Sequence, residues 1–226
     1  KSWFYLARWI FTNHFVGLAT IKQPRNKKRV PNFLEMISYT TSELSITLNA
    51  KLIGNENRVV KTISIDSRSI VGGDNVLFVA LVGQNHDGHK YIKELYNFHG
   101  VRAFVISKFD ESLNQLADAS FLLVENTLQA LQKLASFHRS KFDYPIIGIT
   151  GSNGKTIVKE WLSQLLSSDY RVVRSPKSFN SQVGVPLSIL QMDSTFQIGI
   201  FEAGISLPSE MENLQPIIAP DYGIFT

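Results

Sequence analysis

The segment GITGSNGKTIVKEW, residues 148–161, brings two glycines up against a lysine and a threonine. Gly151 and Gly154 let the backbone turn with its N–H groups pointing inward, and they let an anion come close. The helix predicted to begin at Lys155 adds unpaired N–H groups and a positive dipole end. The pattern predicts a phosphate-binding loop in which Lys155 reaches the β- and γ-phosphates and Thr156 places its hydroxyl on a bridging Mg²⁺.

The match to the general phosphate-loop pattern has one gap. G-x-x-x-x-G-K-[ST] requires a glycine five positions before Gly154, where this chain has Ile149. The alternative is a glycine-containing turn that precedes a lysine and a threonine by chance. The apolar strand pattern before the loop (residues 145–150) and the helical pattern after it (residues 155–166) favour phosphate binding.

A carboxylate close to the end of an apolar strand is a second candidate for chemistry. Glu202 ends the run QIGIFE, residues 197–202. Burying a carboxylate is costly unless a partner neutralises it. Ligands bind at the carboxyl edge of a parallel sheet, and Mg²⁺ takes a carboxylate besides phosphate oxygens. We therefore predict that Glu202 binds Mg²⁺; the alternative is a strand-end glutamate that reaches solvent.

The elements that must position these residues follow an α/β alternation. β-branched or apolar runs alternate with helical patterns from residue 59 to the final run YGIFT, residues 222–226. The alternation predicts parallel sheets with helices packed against them. We divide the chain into a basic and aromatic tail outside the fold (1–35), a small N-terminal α/β domain (36–125) and the first part of a phosphate-loop domain (126–226).

Charge and composition exclude some classes of function. The 226 residues contain no cysteine, which excludes disulfides and thiolate zinc sites and favours a reducing compartment. Residues 1–35 hold seven basic and one acidic residue, a net charge of +6, so the other 16 basic and 18 acidic residues give −2. A nucleic-acid-binding face on the folded part is therefore not expected. Arg8 interrupts the apolar tail, so we expect no stable membrane insertion.

Several ordered motifs resemble those of the Mur ligase family. TGSNGKT (residues 150–156) is similar to the ATP loop of these enzymes, whose version also lacks the first glycine. FNSQVGVPLSIL (179–190) and FEAGIS (201–206) resemble the two segments that follow it. IDSRSI (65–70) and LFVALVGQNHDGHKYI (77–92) resemble the nucleotide-sugar domain of the members that extend the muramoyl peptide.

The resemblance implies an activity and its substrates. It implies a cytoplasmic, three-domain enzyme of peptidoglycan synthesis that uses ATP and Mg²⁺ to join D-alanyl-D-alanine to UDP-N-acetylmuramoyl tripeptide through an acyl phosphate. Because the chain stops after a predicted strand, we interpret it as truncated before the family's carbamylated lysine and its C-terminal domain. Two motifs also resemble the form fused to alanine racemase, so a fused or partner racemase domain is a further expectation.

The resemblance also assigns roles to individual residues. Lys155 and Glu202 are the expected catalytic residues, and Thr156 and Glu202 the expected metal ligands. Asn180 matches an asparagine that contacts the substrate near its reacting end, and Ser67 and Arg68 match the uridine-nucleotide pocket. The expected ATP-binding residues are Gly151, Ser152, Asn153, Gly154, Lys155 and Thr156.

The sequence also allows other interpretations of its function. One is the ligase that adds the third residue, diaminopimelate or lysine, to the UDP-muramoyl dipeptide; another is a nucleotide-binding module with no synthetic chemistry. Arg68 is equally suited to a surface salt bridge. His86, Asp87 and His89 have the residue types of a metal cluster, but we favour a polar turn before a helix, with Asp87 as its cap.

Overall fold

The computed structural model describes residues 38–205 and 210–226. The predicted tail, residues 1–35, lies outside this range, as does Met36, where the N-terminal domain was expected to begin. Within the described part of the chain, no helix has both the length and the apolar character needed to cross a bilayer.

The N-terminal part is built on a five-stranded sheet. Its spatial order is β2, β7, β6, β5, β4, with β2 antiparallel to β7 and the other neighbours parallel. The strands are β2 (Lys51–Ile53), β4 (Thr62–Ser64), β5 (Val76–Val79), β6 (Ala103–Ile106) and β7 (Ser120–Leu123). A separate two-stranded ribbon pairs β1 (Tyr39–Thr40) with β3 (Val59–Val60).

Helices cover both faces of this sheet, which is why β5 and β6 are buried at every position. Helices α1 (Thr41–Leu48) and α3 (Thr127–Arg139) enclose one apolar cluster with the sheet, and α2 (Ile92–His99) encloses the other. By residue type, Asn126 and Thr127 are the two candidates to cap α3. The side chain of Asn126 accepts hydrogen bonds from the first-turn amides, which confirms Asn126 as the cap.

The C-terminal part is built on a four-stranded, fully parallel sheet in the order β11, β8, β10, β9. The strands are β8 (Ile146–Thr150), β9 (Val172–Arg174), β10 (Ile198–Glu202) and β11 (Tyr222–Phe225). The helices are α4 (Lys155–Leu166), α5 (Gly184–Ile189) and α6 (Glu210–Ile218). The α/β class predicted from the alternating pattern is confirmed.

Helix α3 joins the two parts through its packing. Leu131 and Leu134 belong to the apolar cluster of the first sheet, whereas Ala135 belongs to that of the second. One turn further on, the buried His138 takes a hydrogen bond from the hydroxyl of Tyr39 at 2.7 Å and donates through Nε2 to the carbonyl of Met192 at 2.8 Å.

Two local predictions from the sequence are wrong. The β-branched run VVKTISID predicts a single strand over residues 59–66. The strand is instead interrupted at Lys61, so that β3 joins the ribbon and β4 joins the five-stranded sheet. The helical spacing of Tyr91, Leu95 and Phe98 predicts that Phe98 lies on the inner face of α2. Phe98 is instead 81% exposed, and Ile92 and Leu95 are the buried positions. Helix α6 was not predicted, and Pro216 lies inside it.

Candidate functional site

The glycine loop joins the carboxyl end of β8 to the first residue of α4. Gly151 has φ 134° and Gly154 has φ 80°, a region that residues with a Cβ rarely adopt. A Cβ built on Gly151 would lie 2.0 Å from the carbonyl oxygen of Thr226. Gly154 occupies the cap position of α4 and has no side chain to bind the first-turn amides. This helix start therefore has the geometry of an anion-binding site.

The structure brings three of the predicted site residues to one edge of the sheet. Glu202 ends β10, directly beside Ile149 of β8, and its side chain is fully buried. The hydroxyl of Thr156 donates to Oε2 of Glu202 at 3.0 Å, and Nζ of Lys155 donates to the carbonyl of Gly151 at 2.6 Å. Glu202 therefore turns inward, which rules out the solvent-exposed alternative.

A buried lysine compensates the charge of Glu202. Nζ of Lys159 lies 2.9 Å from Oε1 of Glu202, in ion-pair contact without the alignment of a hydrogen bond, and both side chains are fully buried. Sequence reasoning missed this residue. Lys159 follows Thr156 by three positions, so the two lie on the same face of α4; that spacing was the available signal.

Asn180 lies at the same edge, where the chain passes close to the end of β10. Its carbonyl oxygen accepts a hydrogen bond from the amide of Gly204 at 2.7 Å. A Cβ on Gly204 would lie 2.8 Å from that oxygen, so this approach requires glycine. The structure thus places Asn180 next to the residue that lies two positions beyond Glu202.

Ser67 and Arg68 lie on the other sheet, in a short 3₁₀ turn that follows β4. The Arg68 side chain is 87% exposed, and its guanidinium forms a two-pronged ion pair with Asp66, with bonds of 2.9 and 2.8 Å. This pairing lowers the pKa of Asp66 to about 2. The salt-bridge alternative is therefore realised here, and the exposed guanidinium stays accessible to an anion.

The residues His86, Asp87 and His89 form a polar turn, as predicted. Asp87 caps the 3₁₀ turn Gly88–Tyr91 by accepting from the amide of His89. Nδ1 of His89 lies 2.7 Å from the same carboxylate, and its Nε2 accepts from the amide of Ser107 at 3.0 Å. A hydrogen bond from Lys108 and those from His89 hold the pKa of Asp87 well below its usual range.

The donor set at the edge of the C-terminal sheet fits a nucleotide with Mg²⁺. The chain offers a helix start, an ammonium in the first turn, a hydroxyl and a buried carboxylate. Mg²⁺ is bound in proteins by one or two carboxylates together with phosphate oxygens and water. Thr156 and Glu202 are the residues that can hold the ion, and Lys155 can neutralise charge on the terminal phosphates.

Two family profiles match separate stretches of the chain. Residues 149–226 match the Mur ligase middle domain, and residues 59–139 match the Mur ligase family, catalytic domain. Both stretches contain motifs on which the resemblance was based.

The chain is also similar to proteins whose names state an activity. A UDP-N-acetylmuramoyl-tripeptide–D-alanyl-D-alanine ligase of Treponema pallidum is 39% identical over 170 residues, which cover 73% of this chain and 37% of the relative. The ligase with the same name from Borreliella burgdorferi is 40% identical over 77% of this chain and 39% of its own length.

Solved structures agree with the fold. MurF from Acinetobacter baumannii superposes with a TM-score of 0.76 over 84% of this chain and 41% of that chain; at 23% identity it shows the fold alone. MurF ligase from Thermotoga maritima in complex with ADP is 32% identical, with a TM-score of 0.62 over 71% of this chain and 36% of that chain.

The chain spans about two fifths of the length of these relatives. The two profile matches lie in the two parts of the structure, one around each sheet. These matches agree with the glycine loop and the buried Glu202. The chain belongs to the Mur ligase family.

Proposed function

We propose that the complete protein is the cytoplasmic ATP-dependent ligase that joins D-alanyl-D-alanine to UDP-N-acetylmuramoyl tripeptide. The observation that carries the proposal is the contact between Thr156 and the buried Glu202 at the end of a glycine loop. The names of the relatives in Treponema and Borreliella support the choice of substrates.

The proposed reaction has two steps. A carboxylate oxygen of the tripeptide attacks the γ-phosphorus of ATP, and ADP leaves with the electron pair of the broken P–O bond. The amine of D-alanyl-D-alanine then attacks the acyl carbon; phosphate leaves, the nitrogen loses a proton, and an amide remains. Both steps depend mainly on positioning and on stabilising negative charge, for which little covalent chemistry by the protein is needed.

Individual residues have defined parts in this proposal. The loop amides of residues 151–156 bind and orient the phosphates, and Lys155 neutralises charge that builds up on the γ-phosphoryl group. Thr156 and Glu202 would hold Mg²⁺, which would supply further positive charge to the phosphates. Asn180, at the same sheet edge, is proposed to contact the reacting end of the substrate.

The uridine nucleotide is proposed to bind at the other sheet. Ser67 and Arg68 follow β4, where carboxyl ends of parallel strands meet. An arginine suits a diphosphate because its planar guanidinium donates two parallel bonds. We further propose that residues 36–125 form the domain that binds this nucleotide and that residues 126–226 begin the ATP-binding domain.

The test is amine-dependent release of phosphate by the full-length protein. With ATP, Mg²⁺ and UDP-muramoyl tripeptide, D-alanyl-D-alanine should stimulate release. Diaminopimelate or lysine, offered with UDP-muramoyl dipeptide, should not. Stimulation by the latter pair would identify the ligase that adds the third residue. Nucleotide binding without amine-dependent release under either condition would instead support a module without synthetic chemistry.

A further inference from the structure

Lys159 contacts other acceptors besides Glu202, which a simple counter-ion would not require. Its Nζ donates to the carbonyl of Ser175 at 2.9 Å and also to the carbonyl of Lys177. Glu160 lies 3.2 Å away on the outer side. The side chain of Lys159 is itself fully buried. One ammonium therefore links Glu202 to the chain that follows β9.

The chain that follows β9, residues 175–180, leads directly to Asn180. Its first residue is tied to β10 twice, by the Ser175 amide to the Ile200 carbonyl at 3.0 Å and by the Glu202 amide to the Ser175 hydroxyl at 3.1 Å. Lys177 has φ 49°, in the left-handed region that non-glycine residues seldom adopt. The bond from Lys159 to its carbonyl compensates for that backbone conformation.

We propose that Lys159 is a positioning residue that fixes residues 175–180 relative to Glu202. The ammonium contacts the two carbonyls and the carboxylate together, so that Asn180 keeps a constant place beside the carboxylate proposed to bind Mg²⁺. The inference rests on the proposed function, because that function gives Asn180 and Glu202 their roles. A counter-ion role alone makes a different prediction: the bonds to Ser175 and Lys177 would then be dispensable.

Two matched variants separate these roles. Glu202→Gln removes the buried negative charge and leaves the bonds from Lys159 to Ser175 and Lys177 in place. Glu160, 3.2 Å from the ammonium, stays as its ion-pair partner. Adding Lys159→Met, which has a similar length and no charge, then removes those bonds without leaving an unpaired carboxylate that would endanger folding. Ser163→Ala, one turn further along the same buried face of α4, controls for a change in the helix itself.

The first measurement is hydrogen exchange followed by mass spectrometry on the full-length protein. In Glu202→Gln/Lys159→Met, we expect peptides covering residues 176–180 to exchange about tenfold faster than in Glu202→Gln, because the charge-assisted bonds that hold this segment closed are lost. Peptides of β6 and β7 should exchange equally in both. Glu202→Gln/Ser163→Ala should match Glu202→Gln. Equal exchange of residues 176–180 in all three variants would overturn the proposal.

The second measurement is the Kd for UDP-muramoyl tripeptide without ATP or Mg²⁺, so that the lost carboxylate has no metal to bind. We expect binding to weaken about tenfold from Glu202→Gln to the double variant, since Asn180 loses its fixed position. Faster exchange with an unchanged Kd would overturn the positioning of Asn180. If the wild-type protein does not bind UDP-muramoyl tripeptide, the proposed function is contradicted. Faster exchange in the double variant would in that case still support the structural role of Lys159.

Discussion

The hydroxyl of Thr156 lies 3.0 Å from Oε2 of Glu202, across the gap between the first turn of α4 and the end of β10. The two residues are 46 positions apart in sequence, and both were expected to bind the same Mg²⁺. Because β8 and β10 are adjacent and parallel, the residues that leave their carboxyl ends meet at one edge. The parallel pairing of β8 and β10 therefore brings Thr156 and Glu202 together, although their motifs are far apart in the sequence.

Replacing Glu202 should change the dependence on Mg²⁺. In the full-length protein, we expect Glu202→Gln to raise the Mg²⁺ concentration for half-maximal ligation by about tenfold or more, because an amide oxygen carries no net charge for the ion. The variant is nearly isosteric, and Lys159 keeps Glu160 as an ion-pair partner, so the far-ultraviolet circular dichroism should not change. A Mg²⁺ titration that coincides with that of the wild type would contradict the assignment.

Replacing Lys155 should abolish ligation and leave the fold intact. The side chain donates to the Gly151 carbonyl and sits at a partly exposed helix start, so its truncation creates no large cavity. We expect Lys155→Ala to lower kcat/KM by about 100-fold or more, the scale seen when one donor to developing charge is removed. Phosphate release measures the loss. Undiminished turnover would show that Lys155 does not act on the phosphates.

The two loop glycines should differ in their tolerance of a methyl group. Gly151→Ala places a Cβ against the carbonyl of Thr226 and at φ 134°, so we expect it to destabilise the protein by about 2 kcal/mol or more. Gly154→Ala meets its nearest atom at 3.9 Å and has only the cost of φ 80°, about 1 kcal/mol. Urea unfolding compares the two; equal losses would argue against the loop conformation.

Arg68 should affect the uridine substrate and not the stability. The guanidinium and Asp66 form an exposed pair, which water and salt screen. We expect Arg68→Ala to raise the KM for UDP-muramoyl tripeptide about tenfold through loss of a bidentate phosphate contact. The KM for ATP and the thermal midpoint should not move. A KM for the uridine substrate equal to that of the wild type would assign Arg68 to the salt bridge alone.

The buried His138 should make stability depend on pH. Burial lowers its pKa, and Lys141 acts in the same direction, while the Met192 carbonyl and Asp193 oppose the shift. The folded protein therefore protonates this ring at a lower pH than the unfolded chain, in which histidine binds a proton below about pH 6.5. The contribution of the neutral His138 to the free energy of unfolding is fully present above about pH 6.5 and should be lost as the pH falls below that value.

The matched variant for this pH effect is His138→Gln. We expect it to lose about 1–3 kcal/mol at pH 7.5, because the Tyr39 hydroxyl and the Met192 carbonyl lose a buried partner. Its urea midpoint should then decrease less than that of the wild type between pH 7.5 and pH 5.0. Parallel decreases in the two proteins would place the pH dependence elsewhere.

Local signals explain which features were predictable. The glycines at 151 and 154, the cap at Asn126 and the apolar strand that ends at Glu202 each depend on neighbours within a few residues, so spacing was enough to find them. The division of the chain into short strands was harder to predict. Lys61 separates β3 from β4, but only the competition between two sheets decides that the chain divides there.

The exposed face of α4 shows why pattern alone can mislead. Ile157, Trp161 and Leu165, spaced four apart, have the spacing of a core face, yet they are 57%, 64% and 49% exposed. The buried face carries Lys159 and Ser163 instead. The side chain of Lys159 is stabilised inside because Glu202 and two main-chain carbonyls surround it, and none of these partners is near it in sequence.

The sequence by itself determined the glycine loop, the residue types of the candidate site and the α/β alternation, because those follow from backbone freedom, side-chain chemistry and short-range periodicity. The tertiary structure decided which distant groups meet: Thr156 with Glu202, Lys159 with residues 175–177, and Tyr39 with His138. These contacts depend on strand order and helix packing, which arise from the burial of the whole chain and are not encoded in any single segment.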